Sequence, residues 1–358
     1  MTTVLIMAGG TGGHVYPALA VAQALIAQGV RVVWLGSRAG LEATVVPAAG
    51  IEMEWLEIKG LVGTSWRRKL AMPVMLLRAL WQAAMVVHRC LPAVLLGMGG
   101  FVAGPGGLAG WLLRRPLLIH EANARAGLTN RLLGPFATRV MCGFEHTAGL
   151  GRDPVWTGNP VRPAIAALPA PVTRGVGRAP QLRVLVLGGS QGAVVLNQVL
   201  PAAVQQIPQV ERPVLLHQSG GGRAQALCGA YAEAGVEAQV VEFIDDMARA
   251  YGETDVIVSR AGAMTVSEIC AAGVAAILLP YPFAAGDHQS ANAAFLTTSG
   301  AAVAISAAEV TPGRVAREIM RLAVDRAQVL QMAQSARRLA RPEATERVTQ
   351  QCLKAAHA

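Results

Sequence analysis

The sequence predicts an α/β protein of two Rossmann-like domains whose parallel sheets face a central cleft. Three observations predict it: an apolar strand, glycine loop and helix at the start, the return of that unit half a chain later, and a length of 358 residues, which suits two domains of ordinary size. The first unit runs Val4-Leu5-Ile6-Met7, then Gly9-Gly10-Thr11-Gly12-Gly13-His14, then an apolar-periodic helix from Ala18 to Gln28. Gly29 is a natural helix C-cap, and a second apolar strand, Arg31 to Leu35, follows it. Strands this apolar imply a parallel sheet covered on both faces. The second unit, RVLVLGGSQGAVVLNQVLPAAVQ, opens at Arg183 and repeats strand, glycine loop and helix. Between the two, Leu168 to Pro180 is rich in Pro, Gly and Arg and reads as a linker.

Composition narrows the class further. The chain is 53% hydrophobic and 15% charged, which places it among core-rich globular proteins. Its net charge of +9 rests almost wholly on Arg, with Lys only at 59, 69 and 354, and suits anionic partners. The cysteines, Cys90, Cys142, Cys228, Cys270 and Cys352, are scattered, which argues against a disulfide framework or zinc site and for a reducing compartment. The N-terminus lacks the basic and long apolar regions of a signal peptide. Residues Cys90 to Leu113 carry no charge but contain two prolines and seven glycines, so they read as a strand (Ala93 to Leu96), a glycine loop and a helix start, not a membrane span.

Five segments carry candidate chemistry. In the loop Gly9–His14 the glycines let backbone N–H groups approach a phosphate, the helix N-terminus adds its dipole, and His14 at the mouth has the titration range of a general base. The loop does not fit G-x-G-x-x-G, and no acidic residue ends the strand Arg31 to Leu35, so a dinucleotide role is poorly supported. Gly188-Gly189-Ser190-Gln191-Gly192 suits a second phosphate loop, but it also fits the G-x-S-x-G nucleophile elbow, with Asp255 or Asp287 and His288 as triad partners. In the segment Ser259 to Gly273, Thr265 and Ser267 lie near a helix N-terminus able to hold a diphosphate. There Glu268 either accepts ribose hydroxyls or closes a Thr-x-x-Glu capping box with Thr265. No D-x-D occurs, so a departing sugar diphosphate has to be met by helix N-termini and a cation such as Arg162 rather than by a metal. Finally, Trp66-Arg67-Arg68-Lys69 precedes an apolar helix from about Met72 to His88 bearing Met75, Leu76, Leu80 and Trp81, and Trp111 is followed by Leu112-Leu113-Arg114-Arg115; both suit an interfacial membrane patch.

Taken in order, GGTGGHVYPALA, MGGFVAGPGGLA, HEANARAGLTNR, TGNPVR, GGSQGA, FIDDM, SRAGAMTVSE and DHQSANA resemble one family over nearly the whole chain. It is the UDP-GlcNAc:undecaprenyl-diphospho-muramoylpentapeptide N-acetylglucosaminyltransferases (MurG) of peptidoglycan synthesis. The resemblance implies a GT-B fold, with domains at 1–160 and 161–340 and a C-terminal helix, 341–358, packing back on the first. It implies inverting transfer of GlcNAc from UDP-GlcNAc to the C4 hydroxyl of the muramoyl unit of lipid I, giving lipid II, with no cofactor and no metal. The donor site it implies comprises Thr11, Gly12, Gly13, Asn123, Arg162, Ser190, Ile244, Ala263, Met264, Thr265, Val266, Ser267, Glu268 and Gln289. Asn123 would bond the sugar and Ile244 would meet uracil through its backbone. Position 122 departs from the family, with Ala where Gln is usual. His14 is the first choice for catalytic base and Glu121 the second. The implied partners are UDP-GlcNAc, lipid I and an anionic membrane surface on the cytoplasmic side of the inner membrane, not nucleic acid. A UDP-GlcNAc 2-epimerase, a serine hydrolase acting through Ser190 and a non-catalytic membrane scaffold stand as alternatives.

Overall fold

The computed structural model describes residues 2–57, 66–151, 153–188, 193–281 and 287–357, with the backbone alone over 66–71. It divides into two compact units, Met1–Val161 with Glu343–Ala358, and Arg162–Pro342.

The first unit opens β1 (Thr3–Met7), α1 (Gly12–Ala27), β2 (Arg31–Ser37), α2 (Glu42–Ala48) and β3 (Glu52–Leu56). It continues α3 (Trp66–Cys90), β4 (Val94–Gly97), α4 (Ala103–Leu112), β5 (Leu117–Glu121), α5 (Leu128–Leu133), β6 (Arg139–Cys142) and β7 (Val155–Trp156). The second unit begins α6 (Pro163–Ala166), β8 (Arg183–Leu187), α7 (Val194–Gln205), β9 (Val214–Gln218), α8 (Ala224–Glu233) and β10 (Gln239–Val241). It ends α9 (Met247–Gly252), β11 (Val256–Ser259), α10 (Ala263–Ala272), β12 (Ala275–Leu278), α11 (His288–Thr297), β13 (Ala302–Ala304), α12 (Pro312–Val324) and α13 (Arg326–Arg338). The last helix, α14 (Ala344–Ala356), belongs to the first unit, where Val348 and Cys352 join the core of Val4, Ile6, Val21 and Leu25.

Both sheets are parallel throughout, in the orders β3-β2-β1-β4-β5-β6-β7 and β10-β9-β8-β11-β12-β13. Counted from its own first strand, each sheet begins 3-2-1-4-5-6, the doubly wound order, whose direction reverses between first and fourth strands. Every residue of β1, β4, β5, β11 and β12 is buried, as strands covered on both faces require. The reversal opens a crevice at the carboxyl ends of β1 and β4 in one unit and of β8 and β11 in the other. Glycine loops follow β1 and β4.

Three expectations need correction. Helix α1 starts at Gly12, not Ala18: Thr11 is extended (φ −107°, ψ 161°), Gly12 and Gly13 take the first helical positions, and Pro17 is accommodated one turn further on. The segment 168–180 is not a free linker but folds onto the second unit. Val176 lies in that unit's core, and the Arg174 guanidinium donates to the carbonyls of Tyr251, Gly252, Ala272 and Gly273, capping the ends of α9 and α10 together. Helix α3 is longer than its apolar stretch suggested, reaching back to Trp66. Among the described residues no helix is long and apolar enough to cross a membrane.

Candidate active site

In the first unit the loop between β1 and α1 is held from below. Gly10, at φ +93°, donates its N–H to Glu42 Oε2 at 2.8 Å, and its carbonyl accepts from Leu41 N. Thr11 offers no side-chain cap, so Gly12 and Gly13, at the first two positions of α1, have N–H groups with no intrahelical acceptor. His14 Nδ1 lies 3.3 Å from the Gly9 carbonyl. A carbonyl only accepts, so in the neutral ring Nδ1 carries the proton and Nε2 keeps its lone pair. The ring rests on the second glycine loop: a Cβ on Gly99 would stand 2.6 Å from His14 Cδ2, and Gly99 is itself at φ +102°. The crevice at β1 and β4 therefore holds an imidazole beside open backbone donors.

Glu121 ends β5 and is buried, with its carboxylate fully engaged. Oε1 accepts from Asn123 N (2.9 Å) and Nδ2 (3.0 Å), and Oε2 accepts from Gly127 N (3.0 Å) and Asn130 Nδ2 (2.8 Å). Four donors make this carboxylate an organiser of the loop 121–130. Ala122 is buried, and its carbonyl accepts from Asn159 Nδ2 at 2.9 Å, tying this loop to TGNPVR. His120 is buried as well, its Nε2 on the Gly158 carbonyl at 2.9 Å, and burial lowers its pKa.

In the second unit α10 starts at Ala263, capped by Gly262 without a side-chain bond. The amides of Ala263, Met264 and Thr265 thus open into the crevice at β8 and β11, a setting that favours anions. Ala263, Val266 and Glu268 are buried, and the Ser267 hydroxyl turns back to the Ala263 carbonyl at 2.9 Å. Thr265 is inside the helix, so it forms no capping box with Glu268. Instead Glu268 Oε2 accepts from the Tyr251 hydroxyl at 3.2 Å, and Oε1 lies 3.5 Å from Arg162 Nε. Burial raises the Glu268 carboxyl above its ordinary range, and Arg162 and the Tyr251 bond partly offset that. Ile244 is half-buried between β10 and α9, and Gln289 Oε1 accepts from Tyr281 N at 2.9 Å.

Ser190 and its flanking glycines lie outside the described residues, as do the side chains of Arg67, Arg68 and Lys69. The hydrolase alternative still meets an obstacle. Asp255 sits at the amino end of β11, paired bidentately with Arg183 at the start of β8, so it is a strand's length of about 13 Å from Leu187 at the other end of β8. Asp287 instead accepts from Ser290 Oγ. Sequence reading missed Glu42, Tyr251 and Asn130, whose partners come from other elements and meet them only in the folded chain.

Residues 4–142 match the glycosyltransferase family 28 N-terminal domain and residues 183–348 its C-terminal domain. The two doubly wound sheets with loops at their reversal points are those of a glycosyltransferase, of the α/β GT-B class. The chain is 52% identical over 353 residues to the UDP-N-acetylglucosamine–N-acetylmuramyl-(pentapeptide) pyrophosphoryl-undecaprenol N-acetylglucosamine transferase of Nitrosococcus oceani, covering 99% of this chain and 98% of that one. It is equally 52% identical to the enzyme so named from Alkalilimnicola ehrlichii, covering 99% of each. The crystal structure of Acinetobacter baumannii MurG matches at a TM-score of 0.86 and 38% identity, covering 99% of this chain and 100% of that one. The chain belongs to the MurG family.

Proposed function

We propose that this enzyme transfers GlcNAc from UDP-GlcNAc to the C4 hydroxyl of the muramoyl unit of lipid I, forming lipid II with inversion. Inversion follows from one in-line displacement: the acceptor oxygen bonds to the anomeric carbon as the bond to UDP breaks. His14 Nε2 takes the acceptor proton, and the charge gathering on UDP is met by the α10 amides and Arg162. Glu268 receives the ribose hydroxyls and the Ile244 backbone the uracil. Thr11, Gly12, Gly13, Asn123, Ser190 and Gln289 complete the substrate contacts. Glu121, already bonded by four donors, orders its loop and leaves the base to His14.

The observation that carries this reading is a buried carboxylate paired with an arginine less than two turns below an uncapped helix N-terminus. It offers a ribose acceptor, a diphosphate cation and backbone donors together. The similarity to transferases along the full chain favours transfer over epimerisation.

We place the enzyme peripherally on the cytoplasmic face of the inner membrane, because its acceptor carries a polyprenyl chain. An outward stripe on α3 supports this, with Val74, Leu77 and Trp81 at 70%, 67% and 65% exposure, as do Leu128 and Leu132 on α5 beside exposed Arg125 and Arg131. Radiolabelled UDP-GlcNAc with a short-chain lipid I analogue tests the reaction, with and without EDTA. Label should enter the lipid product equally in both. Loss on chelation restored by Mg²⁺ would refute the metal-free leaving group, and conversion of UDP-GlcNAc without acceptor would refute transfer.

A further inference from the structure

Glu42 is a fully buried carboxylate that none of the assigned contacts uses. It opens α2 and accepts three hydrogen bonds: from Gly10 N at 2.8 Å, from Ser37 N at 2.9 Å and from Ser37 Oγ at 2.7 Å. Its slot is lined by glycines. A Cβ on Gly9 would lie 2.6 Å from Glu42 Oε1, one on Gly36 2.8 Å from its Cγ, and one on Gly40 would fall inside the carboxylate. Three backbone positions thus leave room for one charged group, where an apolar side chain could have filled the space without a desolvation penalty.

What the carboxylate holds is the loop that presents His14. Gly10 has φ +93°, a conformation open chiefly to glycine, and its amide points down into Glu42. The preceding carbonyl, Gly9 O, is the one that receives His14 Nδ1–H. Gly9 is also pressed from the other side, since a Cβ on Gly100 would run into its backbone. The loop is therefore clamped between Glu42 and the 98–101 turn, and the clamp sets where Gly9 O sits and hence which imidazole nitrogen carries the proton.

We propose that Glu42 is a positioning residue for the transfer reaction, fixing the Gly9–Gly10 peptide that orients His14. The proposal rests on the reading of His14 as the base. A purely structural role would lower the amount of folded protein and leave the turnover of each folded molecule alone.

The test is a double-mutant cycle of Glu42→Gln and His14→Ala, reading kcat on the lipid I analogue and UDP Kd by calorimetry. Glu42→Gln keeps the volume and removes the charge. Its kcat should fall about 10- to 100-fold, as expected when a reacting group is misplaced by a fraction of an ångström to an ångström. Its UDP Kd should stay within about twofold, and in the His14→Ala background the same change should lower kcat by less than about threefold. Near-normal kcat in His14→Ala would sink the base reading and this proposal with it. An impaired His14→Ala alongside a fully active Glu42→Gln, or losses that multiply in the double variant, would sink the Glu42 proposal alone. If Glu42→Gln does not fold, Ser37→Ala decides instead by removing the 2.7 Å donor while the carboxylate stays. Reduced kcat at unchanged UDP Kd then supports positioning, and unchanged kcat overturns it.

Discussion

Glu268 is a buried carboxylate to which the proposed reading gives nucleotide recognition. It is 7% exposed, its partners in the free protein are Tyr251 and Arg162, and burial raises its carboxyl above the ordinary range. On the proposed reading ribose hydroxyls donate to the ionised form, so nucleotide binding and ionisation favour one another. UDP affinity should therefore weaken as pH falls through that raised pKa, and Glu268→Gln should flatten the dependence in calorimetric titrations across pH. Glu268→Ala at neutral pH should weaken UDP binding about ten- to a hundred-fold, since a charge-assisted bond contributes about 1.5–3 kcal/mol. Unchanged affinity in a folded variant would reduce Glu268 to a partner of Tyr251. The sequence left ribose binding and helix capping open because both fit Thr265 and Glu268 at their spacing. The helix start at Ala263 removes the capping box, and a start is set by backbone geometry that residue types fix only loosely. Glu42 was illegible for another reason: its donors Gly10 and Ser37 meet it only once β1, β2 and α2 are assembled.

Helices α1 and α3 show the same limit one level up. Their apolar stretches were legible from periodicity, but the ends and faces were not. In α1 the glycines read as loop, yet they form the first helical turn and leave its donors open. In α3 the sequence singled out Met75, Leu76, Leu80 and Trp81, but the fold sorts apolar residues onto two faces. Ala79, Ala83, Val86 and Val87 pack into the core with Leu80 beside them, whereas Val74, Leu77, Trp81 and Met85 face outward. On the proposed reading the outward apolar face meets the membrane. Replacing Leu77 and Trp81 by Ser should thus weaken binding to vesicles at least about tenfold, each side chain contributing roughly 1.5–3 kcal/mol when buried. Thermal stability should shift little, as for other surface substitutions, within about 0.5 kcal/mol. Sedimentation with vesicles checks the first outcome and calorimetry the second. Unchanged sedimentation would mean that the outward stripe has another occupant.

Over the whole molecule the charge is unevenly shared. The first unit holds 16 Lys and Arg against 9 Asp and Glu, net +7, and the second holds 15 against 13, net +2. Composition alone gave only the total, and the doubly wound sheets together with the return of the C-terminal helix decide which residues share a unit. Most of the excess therefore lies on the unit that carries α3 and α5. On the proposed reading, charge and apolar surface act there as separable contributions to membrane binding. Attraction to anionic lipid amounts to about 1 kcal/mol per basic residue near the surface and fades beyond a Debye length of about 8 Å at physiological salt. At low salt the protein should bind phosphatidylglycerol vesicles at least about tenfold more tightly than phosphatidylcholine vesicles, and near 1 M salt, where screening acts within about 3 Å, the two should converge. The binding that survives high salt should be the apolar part, and it should disappear in the Leu77→Ser, Trp81→Ser variant. That variant should still prefer anionic vesicles at low salt, because its basic residues are intact. Equal binding to both lipids at low salt would show that the net +7 does not face the membrane.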